Sequence, residues 1–425
     1  MEMELVSQAN TIIYTMKMVQ PTTVVYIISF LDLFAISMFI PLLSKHAFSM
    51  GASPTDIGAL GFIYGILQFL SSPVVGTYSD KFGRKSVLCS CILLTSCGYY
   101  MLGLSTTVAL LWASRILPGC FKHTQNLLRA YLAKNVPAKL HSQVFSRQNA
   151  FGNVGFVIGP VLGGHFTDNL VNGYSTTTII GASILVLTAV FARLFLPDDI
   201  SGSDVAVGVA DELSQHRPNR GIVNYFRHRS WRQLWHVFLI KFLLGTSSLM
   251  FREISPVLLY QRHKPSNTIL GMVISSANAL SVLSSFFVEM VANAKWYKSN
   301  NERLLLHMIG LHVISMSGLL MAPFLWMFVC IQIPYRLCQA VTRISVVNML
   351  IKYGGKEDSG TLMGLGQSVL SISRIFAPVI YGIIHHATES VPLAGVPAVM
   401  LAVSAFMIVC RQGHESKGHS LSKAN

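Results

Sequence analysis

Long apolar segments separated by short polar stretches repeat along this 425-residue chain. Each segment is near the roughly 20 residues that a helix needs to span a bilayer. Because the membrane interior offers no water to backbone N–H and C=O groups, only helices and closed barrels cross it, and this length fits helices. The twelve segments are 22–44, 56–77, 86–105, 107–130, 142–166, 175–196, 234–259, 267–291, 303–322, 324–350, 360–385 and 391–410. They predict an all-α membrane protein with twelve transmembrane helices.

The composition argues against a water-soluble protein. Charged residues make up 12% of the chain, well below the roughly 25% of soluble domains. The net charge of +14 does not indicate nucleic acid, because the cations punctuate the apolar segments and are not clustered on soluble faces. The seven cysteines show no metal or redox spacing, and no nucleophile–base pair stands out. We therefore predict no enzyme, no cofactor and no metal site, and we expect no cleavable signal peptide.

One long polar stretch divides the segments into six and six. It covers residues 197–232, begins with acids and continues with arginines. The expected organisation is an N-terminal six-helix half (1–196), a cytoplasmic linker (197–232), a C-terminal six-helix half (233–412) and a cytoplasmic tail (413–425).

The two halves also look like repeats of each other. A shift of 218 residues aligns Pro160 with Pro378 and Gly164 with Gly382. Many secondary transporters are built from such repeats, with the substrate site near the midplane between them. The pattern therefore predicts two six-helix pseudo-repeats.

The distribution of cations predicts the orientation. With a cytoplasmic N-terminus, the opposite side holds only Lys45, Arg262 and Lys264, whereas the other nineteen loop cations fall on the cytoplasmic side. Positively charged loops stay in the cytoplasm. Both termini and the linker are therefore expected there, in a plasma or organelle membrane that the sequence does not distinguish.

The stretch that follows the second segment reads G-T-Y-S-D-K-F-G-R-K. Its fixed positions are Gly76, Asp80, Gly83, Arg84 and Lys85. This spacing resembles the first loop motif of the major facilitator superfamily, with Lys81 in place of the more common arginine. We expect the helix to end and the backbone to turn at Gly76. The resemblance implies that Asp80 gates transport by docking near Ser359, at a helix N-terminus whose dipole favours an anion. A merely solvated loop acid is the alternative.

Three further motifs resemble the same superfamily. Arg115 and Gly119 match its R-x-x-x-G motif, and 31–41, including Asp32, is similar to its tetracycline-efflux branch. The fifth segment resembles the motif of proton-coupled antiporters, although helix packing alone would explain its small residues. Those residues are Gly155, Gly159, Pro160, Gly163 and Gly164. The stretches 51–55, 64–68 and 121–124 resemble an orphan animal solute carrier of this superfamily.

Polar stripes run along two predicted spans. On a continuous helix the spacing places each set on one face. The stripes are Arg115, Gly119, Lys122, Asn126 and Arg129 in the fourth segment, and Gln332, Arg336, Gln339 and Arg343 in the tenth. Cations inside a membrane usually face a cavity or a partner, so we predict substrate-binding stripes that face each other, with Arg374 nearby and Lys241 a possible addition. For Arg129 and Arg343, near the cytoplasmic ends, snorkelling to lipid headgroups is an equal alternative.

Acids well within the spans are few. Asp32 lies deep, whereas Glu253 follows a cation, Arg252. We predict that Asp32 carries the coupled proton, and the resemblance adds Arg115 to this role. Because the cations outnumber the acids, the expected substrate is an organic anion.

The sequence as a whole predicts a secondary active transporter of a small organic solute that alternates access and couples to protons. An uncoupled facilitative carrier, and a receptor or scaffold that senses a solute without moving it, remain alternatives. We expect a monomer whose partners are the solute, protons and the lipid bilayer, and no nucleic acid.

Overall fold

The computed structural model describes residues 21–137, 140–198, 231–297, 301–354, 359–388 and 390–421. Within these ranges the chain forms helices joined by turns and contains no strand. Each of the twelve predicted segments is helical, which confirms the all-α prediction. Apart from its ends, the predicted linker lies outside the described residues.

Among the described residues, nine helices precede the linker. They are α1 (21–37), α2 (Leu43–Ser49), α3 (Pro54–Phe82), α4 (Arg84–Gly103), α5 (Val108–Ala113), α6 (Ile116–Phe121), α7 (Thr124–Asn135), α8 (His141–Asn169) and α9 (Gly173–Phe195). A 3-10 turn at Ile40–Leu42, which has Pro41 as its second residue, joins α1 to α2. Together these two helices form one candidate membrane span, Pro21–Ser49.

Six helices follow the linker in the part of the chain that the structure describes. They are α10 (Trp231–His263), α11 (Asn267–Ala292), α12 (Asn301–Met321), α13 (Leu325–Gly354), α14 (Ser359–Thr388) and α15 (Val391–Leu421). In the described part of the chain, eight helices are long and apolar enough to cross a membrane. Those eight are Pro21–Ser49, Pro54–Phe82, Arg84–Gly103, Gly173–Phe195, Leu234–His263, Asn267–Val288, Asn301–Met321 and Leu365–Thr388. A shorter apolar helix, Gly395–Cys410, lies in the twelfth predicted span.

The fourth predicted span is three short helices instead of one. The Thr107 hydroxyl accepts from the Leu110 N–H and caps α5, which ends before Ser114. A proline lacks an N–H and clashes inside a helix but is tolerated in the first turn, and the restart of α6 at Ile116 puts Pro118 there. A second break follows α6 at Lys122, whose backbone is no longer helical. The assumption of one continuous polar face was therefore wrong.

The turn in the first loop motif lies at Gly83, not at Gly76. Helix α3 continues through Gly76 to Phe82, and α4 begins at Arg84. Gly83 has a φ of 89°, a backbone conformation that residues with a Cβ rarely adopt. The motif needs this glycine because a single residue reverses the chain between two helices.

Two compact units account for the described residues. The first includes the described residues of Met1–His46 and Ile66–Arg217 together with Ser266–Ser275. In it, α4 packs along α9 and against α6 and α7, and α8 contacts α7 and α9. The second includes Ala47–Gly65 and the described residues of Pro218–Pro265 and Ser276–Asn425. In it, α10 packs against α13, α14 and α15, and α12 contacts α13 and α15.

Small residues let α8 approach α1 and α11 closely in the first unit. A Cβ added to Gly155 or Gly159 would overlap backbone or side-chain atoms of α1, one at Gly163 would overlap the backbone of Met38 just after α1, and one at Gly164 would overlap Asn267. Likewise, a Cβ at Gly271 would overlap the Pro160 carbonyl oxygen. These positions have no room for a side chain.

A crossing of the same kind occurs in the second unit. A Cβ on Gly58 of α3 would lie 2.6 Å from the Pro378 carbonyl oxygen, and one on Gly382 would crowd Gly58 itself. Pro378 and Gly382 are the positions that the sequence repeat aligns with Pro160 and Gly164. The repeat therefore extends from sequence to equivalent helix contacts in each unit.

Many large apolar side chains are exposed on the helices. Leu194, Phe286 and Met321 are among them. Exposed apolar side chains on long apolar helices are the surface that lipid hydrocarbon covers.

Candidate functional site

A buried ion pair joins α1 to the break between α6 and α7. The Lys122 ammonium donates to Oδ1 of Asp32, and the two side chains are 6% and 0% exposed. The Gln125 amide donates to Oδ2 at 3.0 Å. Both carboxylate oxygens of Asp32 are therefore hydrogen bonded, one by a charged donor and one by a neutral donor.

A network of amide and hydroxyl groups surrounds this pair. The Ser29 hydroxyl donates to Oε1 of Gln125 at 2.7 Å. The Gln148 amide, from α8, donates to the same Oε1 at 3.3 Å and to the Gln125 backbone carbonyl at 3.2 Å. The network links α1, α7 and α8 and fixes the orientation of the amide that contacts Asp32.

Side chains of α3 satisfy polar groups at the helix break. The Gln68 amide donates to the Lys122 carbonyl oxygen at 2.9 Å, and the Ser71 hydroxyl lies 2.9 Å from Nε2 of His123. A broken helix within a membrane requires such partners, because the groups that the break frees have no water. The break can therefore place Lys122 beside Asp32 while few of its backbone groups lack a hydrogen-bond partner.

The other members of the predicted fourth-segment stripe lie elsewhere. Arg115 is 4% exposed, interacts electrostatically with Tyr174, and makes no side-chain hydrogen bond or ion pair within the described residues. Asn126 is exposed, and Arg129 donates to Asn149 at 2.6 Å. Of this stripe, only Lys122 contacts Asp32.

Sequence reasoning missed Ser29, Gln125 and Gln148. Gln125 lies off the face that a continuous helix would present, so the predicted spacing did not select it. Pro118, inside a predicted span, was the one local signal that this helix is interrupted.

In the second unit, amides hold Arg336 of α13. Its Nε donates to Oε1 of Gln332 at 3.2 Å, and another guanidinium nitrogen donates to Oε1 of Gln339 at 3.3 Å. Its guanidinium also lies 5.4 Å from the centre of the Tyr335 ring. No carboxylate lies within 4.0 Å of it in the described part of the chain. The structure thus brings together three of the residues predicted to bind substrate, and their charge is positive.

A buried histidine adjoins this cluster. His312 of α12 is 2% exposed and its ring stacks on Tyr335 at 5.1 Å. Its Nδ1 lies 3.7 Å from Sγ of Cys338.

The remaining residues named from the sequence lie outside this cluster. Arg374 of α14 is exposed, and Lys241 is half-buried with its ammonium beside Gly366. Arg252 and Glu253 pair with each other at 3.2 Å.

The first loop motif forms local contacts. Arg84 donates to Oδ1 of Asp80 at 3.0 Å and also to the Ala130 carbonyl oxygen, which ties the start of α4 to α7. Lys85 lies 3.4 Å from Asp198. The side chain of Asp80 is 68% exposed. Docking of Asp80 near Ser359 stays a prediction.

The sequence matches the family model of the Major Facilitator Superfamily over residues 24–410. The tetracycline resistance protein, class H, of Pasteurella multocida is 25% identical over 373 residues, which cover 85% of this chain and 88% of that protein.

Two solved structures share the fold. A bacterial homologue of the human lysosomal transporter Spinster has a TM-score of 0.73 and 12% identity, covering 91% of this chain and 95% of its own. The human organic anion transporter MFSD10 (TETRAN) has a TM-score of 0.60 and 19% identity, covering 92% and 99%.

Proposed function

Because the chain belongs to the Major Facilitator Superfamily, and is therefore a multi-pass membrane transporter and not an enzyme, we propose that it is a proton-coupled carrier of a small organic anion. The observation that carries the proposal is the buried ion pair between Asp32 and Lys122. The transport cycle is alternating access by the two six-helix halves, 1–196 and 233–412.

An acid in this position suits a proton carrier. Charged side chains inside a membrane are costly and are kept where a pathway needs them. Asp32 is fully buried in a network that reaches three helices, so a proton on its carboxylate changes the charge of the site without solvent to mask it. The similarity of 31–41 to the tetracycline-efflux branch supports the same role, as does the related class H protein.

Two cations, Arg336 in the second unit and Arg115 in the first, favour an anionic substrate. Arg336 has only amide partners for hydrogen bonds, and Arg115 has no side-chain hydrogen bond within the described residues. In a medium of low dielectric constant, uncompensated cations attract an anion strongly. The organic anion transporter that shares the fold agrees with this charge.

The orientation belongs to the same proposal. The loop cations support cytoplasmic termini, which would put Asp80 and Arg84 at the cytoplasmic gate. The exposed carboxylate of Asp80 is free to exchange partners as that gate opens.

Sealed proteoliposomes with a pH gradient test the function. Estrone sulfate is a suitable probe because its sulfate stays ionised at every pH used. We expect the wild-type protein to accumulate it against its gradient when driven by pH. Asp32→Asn should abolish this accumulation and leave exchange of the probe at least partly intact.

The control is Asp198→Asn, the same change at an exposed acid, which should accumulate the probe normally. Equilibration without accumulation by the wild type would mean an uncoupled carrier. Binding without transport would mean a solute-sensing receptor. Accumulation by Asp32→Asn would exclude Asp32 as the essential proton carrier.

A further inference from the structure

The ion pair at the break between α6 and α7 holds two charges that depend on each other. The Lys122 ammonium donates to one oxygen of Asp32, and Gln125 occupies the other. The nearby Gln68 amide is engaged with the Lys122 carbonyl oxygen and not with the ammonium. Asp32 is therefore the counter-ion of Lys122 in this structure.

A proton on Asp32 removes that counter-ion. The proton comes from solution and binds the carboxylate, while Lys122 remains an ammonium. The site then carries one more positive charge, and a buried ammonium has lost its ionic partner. Leaving one member of a buried pair without the other is strongly unfavourable, so a second anion is favoured at Lys122.

Other charged or titratable groups on the surrounding helices do not replace this anion. They include Tyr26 on α1, Arg115 just before α6, His123 just before α7, Arg129 on α7 and Arg147 on α8, and none is an acid. In the part of α3 that belongs to the first unit, the acid is Asp80, and in α8 it is Asp168. Both are exposed at the ends of their helices. Of the described acids on these helices, only Asp32 is in contact with Lys122.

We propose that Lys122 is an anion subsite of this transporter, and that it becomes available when Asp32 binds a proton, so that proton and organic anion bind together and move in the same direction. This inference rests on the proposed function and specifies its coupling as symport. By linkage, the proton raises the affinity for the anion, and the anion raises the affinity for the proton by the same factor.

Antiport, the opposite coupling, would require a cationic substrate. A cationic substrate would compete with Lys122, and with a proton, for the carboxylate of Asp32, which gives exchange of substrate for proton. Symport therefore indicates that the substrate replaces Asp32 as the partner of Lys122. Antiport indicates that the substrate replaces Lys122 as the partner of Asp32.

Binding to the full-length protein tests the inference with two probes of permanent charge, estrone sulfate and tetraphenylphosphonium. Estrone sulfate should bind more tightly as the pH falls, by up to about tenfold for each pH unit, because one proton binds with each anion. Asp32→Asn should bind it tightly and independently of pH. Lys122→Gln should bind it weakly at every pH.

A double variant separates binding from folding. Asp32→Asn with Lys122→Gln leaves neither member of this pair as a buried charge without its partner, so it should keep the thermal stability of the wild type. It should nevertheless bind estrone sulfate as weakly as Lys122→Gln. If it binds as tightly as Asp32→Asn, Lys122 is not an anion subsite.

The direction of transport separates this inference from the proposed function. Symport predicts accumulation of estrone sulfate inside the vesicles when the outside is acidic. Accumulation that requires Asp32 but an acidic interior, or loss of the pH dependence in His123→Gln and not in Asp32→Asn, would overturn symport through this pair. Transport of tetraphenylphosphonium alone, or no effect of pH on either probe, would overturn the proposed function as well.

Discussion

Asp168, in the last turn of α8, caps the first turn of α11 at Thr268. One carboxylate oxygen accepts from the Thr268 N–H and hydroxyl, both at 2.7 Å. The other accepts from the N–H and the side-chain amide of Asn267, at 3.1 and 2.7 Å. The first N–H groups of a helix lack partners within it and carry its positive dipole end, so a carboxylate suits this position.

Removal of this cap should loosen the start of α11. Asp168→Ala should accelerate hydrogen exchange of the amides in 266–271, because a lost cap costs about 0.5–2 kcal/mol of helix stability. Mass spectrometry of exchange in detergent measures this. Asp168→Asn keeps one acceptor oxygen and should fall between the alanine variant and the wild type. Equal exchange in all three proteins would contradict the capping role.

The cap should persist in mildly acidic solution. Burial tends to raise the pKa of Asp168, but the hydrogen bonds from Thr268 and Asn267 outweigh it and hold the pKa below the usual 3.8. A carboxylate with a depressed pKa stabilises the fold above its unfolded pKa, and this contribution is lost only as pH falls through the folded value. Exchange of the α11 amides, corrected for intrinsic rates, should therefore be the same at neutral and at mildly acidic pH. Faster corrected exchange on mild acidification would show that another group controls this contact.

The first loop motif should affect gating more than stability. Asp80 is mostly exposed, and an exposed ion pair is worth about 0–1 kcal/mol, so Asp80→Asn should leave the melting temperature nearly unchanged. It should raise the labelling of single cysteines on the predicted cytoplasmic face of the cavity, because the gate loses its charge.

Arg84→Gln is the informative comparison for this variant. It also removes the bond to the Ala130 carbonyl oxygen, so it should lower the melting temperature more than Asp80→Asn does. Normal transport and unchanged labelling in Asp80→Asn would exclude the gating role.

The contact between α8 and α1 should not tolerate a methyl group. A Cβ at Gly163 would overlap the Met38 backbone carbonyl, which cannot move aside as the end of a flexible side chain can. Gly163→Ala should therefore separate the helices and lower the melting temperature by several degrees. Gly76→Ala is the matched control, since nothing lies within 4 Å of its added Cβ, and it should not lower the melting temperature. A similar loss in both variants would show that backbone freedom matters more than helix contact.

The sequence predicted the helices and their close approaches better than the polar contacts. Apolar length defines a span locally, and the small residues of the fifth segment, from Gly155 to Gly164, indicated close helix packing. Both signals can be recognised in a short stretch of chain. A close crossing of two helices needs a small residue whatever residue lies opposite it. The equivalent contacts at Gly271 and Gly58 agree with this.

The ion pair depended on information that spacing does not contain. Asp32 and Lys122 were each selected from the sequence, but as separate groups, because their proximity requires the break after α6. The same break brings Gln125 to Asp32 and leaves Asn126 exposed. A pattern read on a continuous helix assigns the wrong phase to every residue beyond an interruption. The turn at Gly83 in place of Gly76 has a similar origin, since loss of apolar residues does not end a helix.

The amide-bound guanidinium of Arg336 gives the most direct test of substrate charge. Gln332 and Gln339 hold it in place but leave its charge uncompensated, so an anionic substrate gains an ionic contact that a neutral glutamine cannot provide. Arg336→Gln should weaken the binding of estrone sulfate about tenfold or more, with little change for tetraphenylphosphonium. Arg336→Lys keeps the charge and loses the planar hydrogen-bonding geometry, so its affinity for estrone sulfate should fall between those of Arg336→Gln and the wild type.

The control is Arg129→Gln, which changes an arginine that bonds to Asn149. This variant should bind both probes as the wild type does. Full affinity for estrone sulfate in Arg336→Gln would remove this residue from the substrate site, and tighter binding of the cation alone would show that Arg336 acts against cations and does not recognise anions.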